Sequence, residues 1–186
     1  MKNKQQFILA LVLVVLAAGS RLVPHAMNFT PITALALFSA YAFSGKWKLI
    51  IPFLAIILSD IALELTTGYG FHSGTVVVYL AFALMIGVGY LLLQKLNIAR
   101  LVGATLLSSV LFFLITNFAF FYPESPVVDM AQGHYPHNFV GILASYKAGL
   151  PFFKNMLVGD VVFTLFLFGV HEFTNQIILK NSRVAA

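Results

Sequence analysis

Asp60, Asn117, Asn155 and Asp160 stand inside strongly apolar runs of this chain, and they are the residues there best able to do chemistry. A charged side chain at the centre of a membrane-spanning helix costs on the order of 3 kcal/mol. Each acid therefore needs a partner: a counter-charge, a hydrogen-bonding neighbour, or a polar ligand. Asp60 and Glu64 are spaced i, i+4 and share one helix face, so together they could hold a cation or a basic ligand. The favoured alternative pairs Asp60 with Arg21 between helices, and Glu64, at a helix end, reads as solvated. Asp160 lies between Gly159 and Val161–Leu167 and has no local partner. It suits a ligand contact or an ion pair with Arg21 or Lys154. Asn117 sits between Leu111–Thr116 and the aromatic Phe118–Phe121. An amide there suits either a planar polar ligand or an interhelical hydrogen bond, the latter worth about 0.6 kcal/mol on average.

The histidines carry a weaker signal. His134-Tyr-Pro-His137, even with His25 and His72, matches no zinc-ligand spacing, and the H-E-x-x-H pattern is absent. A lid loop with half-exposed histidines is the expectation, with no metal and no cofactor. Gly70-Phe-His-Ser-Gly74 sets a serine beside a histidine without forming a G-x-S-x-G elbow. No P-loop occurs, so the chain does not hydrolyse ATP in that manner. The absence of cysteine excludes disulfides, thiolate metal sites and thiol nucleophiles. The expectation is a protein that is not an enzyme. An intramembrane enzyme using His72, His134 or Asp160 is the weakest alternative.

The elements that must position these residues are membrane helices. The chain has 186 residues, of which 60% are hydrophobic and 9% charged. Average soluble domains carry about 25% charged residues, so the composition leaves little room for a soluble fold. Apolar runs fall at residues 7–23, 31–43, 49–63, 76–93, 101–121 and 151–173. A span needs roughly 20 apolar residues. The first three runs are shorter than the last three, so they must tilt little, thin the bilayer or be shielded by protein. Residues 122–150 form the one long connection, within which Asn138–Ala148 could make a short surface helix. The fold expected is an all-α polytopic membrane protein of six transmembrane helices in a single integral membrane domain, 1–186. The N-terminal run imitates a signal peptide with Ala17-Ala18-Gly19-Ser20 as its cleavage region; it is read as an uncleaved first span.

Orientation follows from charge. With the N-terminus inside, the cytoplasmic face receives Lys2, Lys4, Lys46, Lys48, Lys95, Arg100, Lys180 and Arg183, and the outer face receives Arg21, Lys147 and Lys154. Eight against three agrees with the retention of Lys and Arg inside, and both termini are then cytoplasmic. The net charge of +5 flanks the spans and forms no basic face, so nucleic acid is not expected as a partner. The same topology gathers Arg21, His25, Asn28, Glu64, His72 and the 122–137 connection at the outer surface. Asp60, Asn117, Asn155 and Asp160 fall in the outer half or near the middle. Arg21-Leu-Val-Pro-His-Ala-Met-Asn-Phe-Thr-Pro31 becomes one wall or lid of an outward-facing small-molecule pocket. The ligand-binding set expected is Arg21, His25, Asn28, Asp60, Asn117, Asn155 and Asp160.

Read together, several stretches resemble a bacterial family of small, uncharacterised integral membrane proteins grouped with transport proteins. They are Arg21–Ile32, Ala34-Leu-Ala-Leu-Phe38, Pro52–Asp60, Thr116-Asn117-Phe118 and Gly149-Leu-Pro-Phe-Phe-Lys-Asn155 running into Gly159-Asp160. At fold level that family is similar to the S components of energy-coupling-factor (ECF) vitamin transporters. The resemblance implies six helices and a vitamin-like small-molecule substrate held near the outer surface of the bacterial inner membrane. It implies a lid that includes the first loop, here Pro24–Thr30. It also implies, besides membrane lipid, an energy-coupling membrane subunit and ATPases as partners, docked through small residues. Ala36 and Ala40 supply one small-xxx-small pair on the second span, where the family pattern would have it on the first. The alternative function is a structural or assembly protein of an envelope complex, whose polar outer residues would mainly pair internally.

Overall fold

The computed structural model describes the backbone of residues 4–184 and the side chains of residues 7–176. Lys2, Lys4, Lys180 and Arg183 of the charge count lie outside the described side chains. Six helices follow one another: α1 (Lys4–Ser20), α2 (Ile32–Ala42), α3 (Trp47–Thr67), α4 (Thr75–Leu92), α5 (Ile98–Thr116) and α6 (Phe139–Val184), with a 3-10 turn at Ala119–Phe121. The architecture is an all-α bundle, as the apolar runs imply. Four helices, α3, α4, α5 and the Phe139–Gln176 part of α6, are long and apolar enough to cross a membrane; α1 and α2 are shorter apolar helices.

The axis of the bundle is α2. It is apolar on all sides, the pattern of a helix enclosed by others, and every residue from Ile32 to Ala40 is buried. It packs against α3, α4, α5 and α6. Eleven residues reach roughly 16 Å at 1.5 Å each, too short for a hydrocarbon core of about 30 Å. Enclosure removes that mismatch, because protein rather than lipid surrounds the helix ends. α1 is the opposite case: Ala10, Leu13, Val14 and Ala17 are buried, while Phe7, Leu11 and Val15 are exposed. Its buried stripe meets α3. Exposed apolar side chains such as Val76, Leu80 and Leu84 of α4 and Phe166 and Val170 of α6 extend the outer belt. So much apolar surface suits lipid and not water.

Three boundaries differ most from the apolar runs. The third run ends at residue 63, but α3 continues to Thr67, giving 21 residues, so it is not a short span. The polar groups of its last turns are satisfied in place. Glu64 accepts the backbone N–H groups of Gly70 and Phe71 at 3.0 and 3.1 Å, and so caps the following loop instead of being merely solvated. The fifth run was expected to reach residue 121; α5 stops at Thr116. The Asn117 side chain donates to the Phe113 carbonyl at 3.0 Å, taking an acceptor at the helix end. The sixth differs most. Asn138–Ala148 is no separate surface helix, because α6 runs unbroken for 46 residues through Pro151. The Asn138 Oδ1 accepts from Gly141 N at 3.0 Å and starts the helix. Neighbouring helices make such an internal proline tolerable in a membrane bundle.

Ala36 and Ala40 do not form a docking surface. They are 0% and 3% exposed, and Ala40 packs on Gly89 of α4. Their small size lets the enclosed helix sit close to its neighbours.

Candidate functional site

Three connections meet at one end of the bundle: residues 21–31, 68–74 and 117–138. Beneath them lies a cavity of about 320 Å³. Its apolar part is built from Phe82 and Met85 of α4, Phe112 and Phe113 of α5, and Phe152, Phe153 and Met156 of α6. Its polar groups are Arg21, Asn28, Thr30, Thr33, His72, Thr116, Asn117 and Tyr122. A second cavity of about 380 Å³ adjoins it above, sharing His72, Thr116, Asn117, Tyr122 and Phe152 and adding Gln132, Gly133 and Tyr135 from the long connection.

Arg21, just beyond the end of α1, forms the wall. Its Nη1 donates to Ser59 Oγ and to Asp60 Oδ1, each at 2.5 Å. Tyr79 of α4 donates to the other oxygen, Asp60 Oδ2, at 2.7 Å. The pairing read as the alternative for Asp60 is thus the one formed, and Asp60, itself buried, does not line the cavity. The ion pair has a consequence for Arg21. A guanidinium carries five N–H donors, and its bonds to Ser59 and Asp60 both use Nη1, so the arginine is oriented while other donors remain for the cavity it lines.

The connection that follows Arg21 dips into the bundle. Asn28 adopts a left-handed conformation with φ of 63°, and Phe29 packs on Phe163 of α6 with ring centroids 5.3 Å apart. Gly159 makes this approach possible: a Cβ there would stand 3.2 Å from Phe29 Cα and 3.4 Å from Thr30 N. Asn117 faces both cavities and is held from both sides. Its carbonyl accepts from the Ser145 hydroxyl, and its side-chain oxygen lies against Gly149, where an added Cβ would collide with it.

The long connection folds as a compact lid. Asp129 and His134 exchange backbone hydrogen bonds at 2.9 and 3.0 Å, and Asp129 Oδ1 accepts from Ala131 N and Gln132 N, both at 3.1 Å. His137 stacks on Phe120 at 4.7 Å and bonds the Tyr122 carbonyl at 3.0 Å. The Tyr122 hydroxyl donates to the Thr116 carbonyl, tying the lid to the end of α5. Burial raises the Tyr122 hydroxyl above its ordinary range. The histidines take separate partners: His72 Nδ1 accepts from Gly74 N at 3.1 Å, and His25 Nδ1 meets the Val23 carbonyl.

Of the seven residues expected to bind ligand, Arg21, Asn28 and Asn117 line the cavity. His25 is exposed and turned to its own loop. Asn155 lines neither upper cavity. Asp160 lies below the floor, one helical turn beyond Met156, and is 1% exposed. Neither expected counter-charge reaches it: Arg21 is committed to Asp60 and Lys154 is exposed. Sequence reading did not assign the aromatic floor to the site. Nineteen phenylalanines in one apolar chain give no local sign of which five will converge.

The sequence model of a family described as "Family of unknown function (DUF6580)" matches residues 1–181. No curated protein and no solved structure matches this chain.

Proposed function

The chain belongs to the DUF6580 family; from the cavity beneath its lid we propose that it is a membrane transport protein that captures a small organic nutrient there. One observation carries this reading: the 320 Å³ cavity joins an aromatic and methionine floor to a few convergent polar groups, Arg21, Asn28, His72 and Asn117 among them. That is the composition and size of small-molecule pockets, which start at about 300 Å³. The ligand class that fits is a compact, vitamin-like molecule with an apolar ring for the phenylalanines and an acceptor or anionic group for Arg21. The cation asymmetry of the loops supports an outward-facing pocket with both termini cytoplasmic, and the family resemblance supports the bacterial inner membrane as its location. The likeness to ECF S components adds an energy-coupling membrane subunit and its ATPases as the partners that would release the ligand inward. We read the chain as a binder, with His72 of the cavity held by the Gly74 N–H at its Nδ1.

Thermal unfolding of the purified protein against a panel of vitamins and related metabolites tests this. A binder raises the unfolding midpoint, by the equivalent of about 2.7 kcal/mol when the ligand is at 100 times its dissociation constant. Absence of any shift across the panel, together with no small molecule released on denaturation, would sink the reading.

A further inference from the structure

Asp160 is buried inside the bundle, and among the described residues no ion pair balances a negative charge on it. α5 presents Ser109 to it, α2 presents Thr33, and its own helix carries Met156 and Thr164 one turn to either side. The 21–31 connection packs Phe29 and Thr30 against the adjacent Gly159. None of these is charged or titratable. Of the charged or titratable groups nearby, Arg21 is bonded to Asp60, His25 is exposed beside Val23, and Lys154 is exposed on α6.

The hydrogen bonds around the carboxyl point the same way. An ionised carboxylate only accepts, and has about four lone-pair sites to fill. Oδ1 makes no hydrogen bond within ordinary distance and angle limits although Thr33 stands beside the carboxyl, and Oδ2 meets Ser109 Oγ at 2.7 Å. Ser109 Oγ also lies 3.0 Å from the Thr105 carbonyl. The hydroxyl has one proton and cannot donate to both acceptors. The conflict disappears if the carboxyl is the acid. Asp160 then donates to Ser109 Oγ, Ser109 donates to the Thr105 carbonyl, and no charge is buried. Burying a lone ionised carboxylate is far more costly than burying the neutral acid.

We propose that Asp160 is a proton-binding site, carrying its carboxyl as the neutral acid one helical turn beneath the cavity floor, with Thr33 as its contact to that cavity. Thr33 lines the cavity and stands beside the carboxyl, so it borders both. The ligand of this site is the proton itself. The assignment does not depend on which nutrient the upper cavity takes, and it stands or falls separately from it.

Infrared spectroscopy of the purified protein in lipid, with hydrogen–deuterium exchange, reads the site directly. The expected result is a protonated carboxylic-acid carbonyl band at neutral pH that shifts in deuterated water and vanishes in Asp160→Asn. It is retained in the lid variant Asp129→Asn. Asp160→Asn, whose amide also donates to Ser109, is expected to unfold at or above the wild-type midpoint. No acid band in the wild type, or a band that survives Asp160→Asn, overturns the proposal. So does a wild-type midpoint that rises with sodium or potassium at constant ionic strength and loses that response in Asp160→Asn, since the carboxyl would then be an ionised metal-cation ligand. A steep loss of stability in Asp160→Asn also overturns it, because the anion would then be required.

Discussion

Arg21 and Asp60 join an ion pair between helices to the wall of the cavity. The pair holds the end of α1 against α3 and aims the guanidinium at the cavity. Arg21→Ala strands a buried carboxylate, for which a loss of roughly 3 kcal/mol is expected. Adding Asp60→Asn should return most of it, because the stranded charge is gone; denaturant unfolding of both single variants and the double variant measures the coupling. Asn117 and Asn155 form a second comparison at this scale. Both are half-buried amides near the same end, yet one lines the cavity and the other does not. Asn117→Ala is expected to weaken nutrient affinity several-fold, about the 1 kcal/mol of one hydrogen bond, while Asn155→Ala leaves it unchanged. Ligand titration followed by thermal shift distinguishes them.

At the scale of elements, α2 and the 21–31 connection carry the site. α2 is enclosed on every side, so its small residues have no room to grow. Ala36→Leu is expected to cost at least about 1–3 kcal/mol through overpacking. Leu84→Ala, on the half-exposed outer side of α4, should stay within about 0.5 kcal/mol. Unfolding midpoints in detergent check the contrast. The connection depends on a close approach to α6 at Gly159. Gly159→Leu should lift Phe29 and Thr30 away and abolish ligand-dependent stabilisation, while circular dichroism reports an intact helical fold. Retained stabilisation would mean that the loop does not shape the pocket.

For the whole molecule, what matters is polarity from one end to the other. One end has the long connections and both upper cavities. The other has the short turns, with Lys48 Nζ over the Tyr90 ring at 4.5 Å and His171 packed against Phe38 and Tyr41 at 5.4 and 5.6 Å. The chain contains no cysteine, so single introduced thiols report orientation cleanly. Met130→Cys, in the lid, should react with an impermeant maleimide on intact cells. Lys95→Cys, in the turn between α4 and α5, should react only after the membrane is opened. The reverse pattern would put the pocket on the inner face.

Much of this was legible from the residues in order. Hydropathy is a property each residue brings with it, so the six apolar segments and the all-α membrane class follow from summing along short windows. The need of Asp60 and Asp160 for partners follows in the same way, from the cost of a lone charge. Which partner each one takes does not. Arg21 is 39 residues from Asp60 and Ser109 is 51 from Asp160, and only helix packing decides such pairs. Packing likewise enclosed the short second run, carried α6 through Pro151, and drew five phenylalanines out of nineteen into one floor. The physical reason is range. Transfer free energy acts on one residue at a time and is written in the sequence, whereas hydrogen bonds and close contacts need two surfaces to meet, and that meeting is settled by the fold.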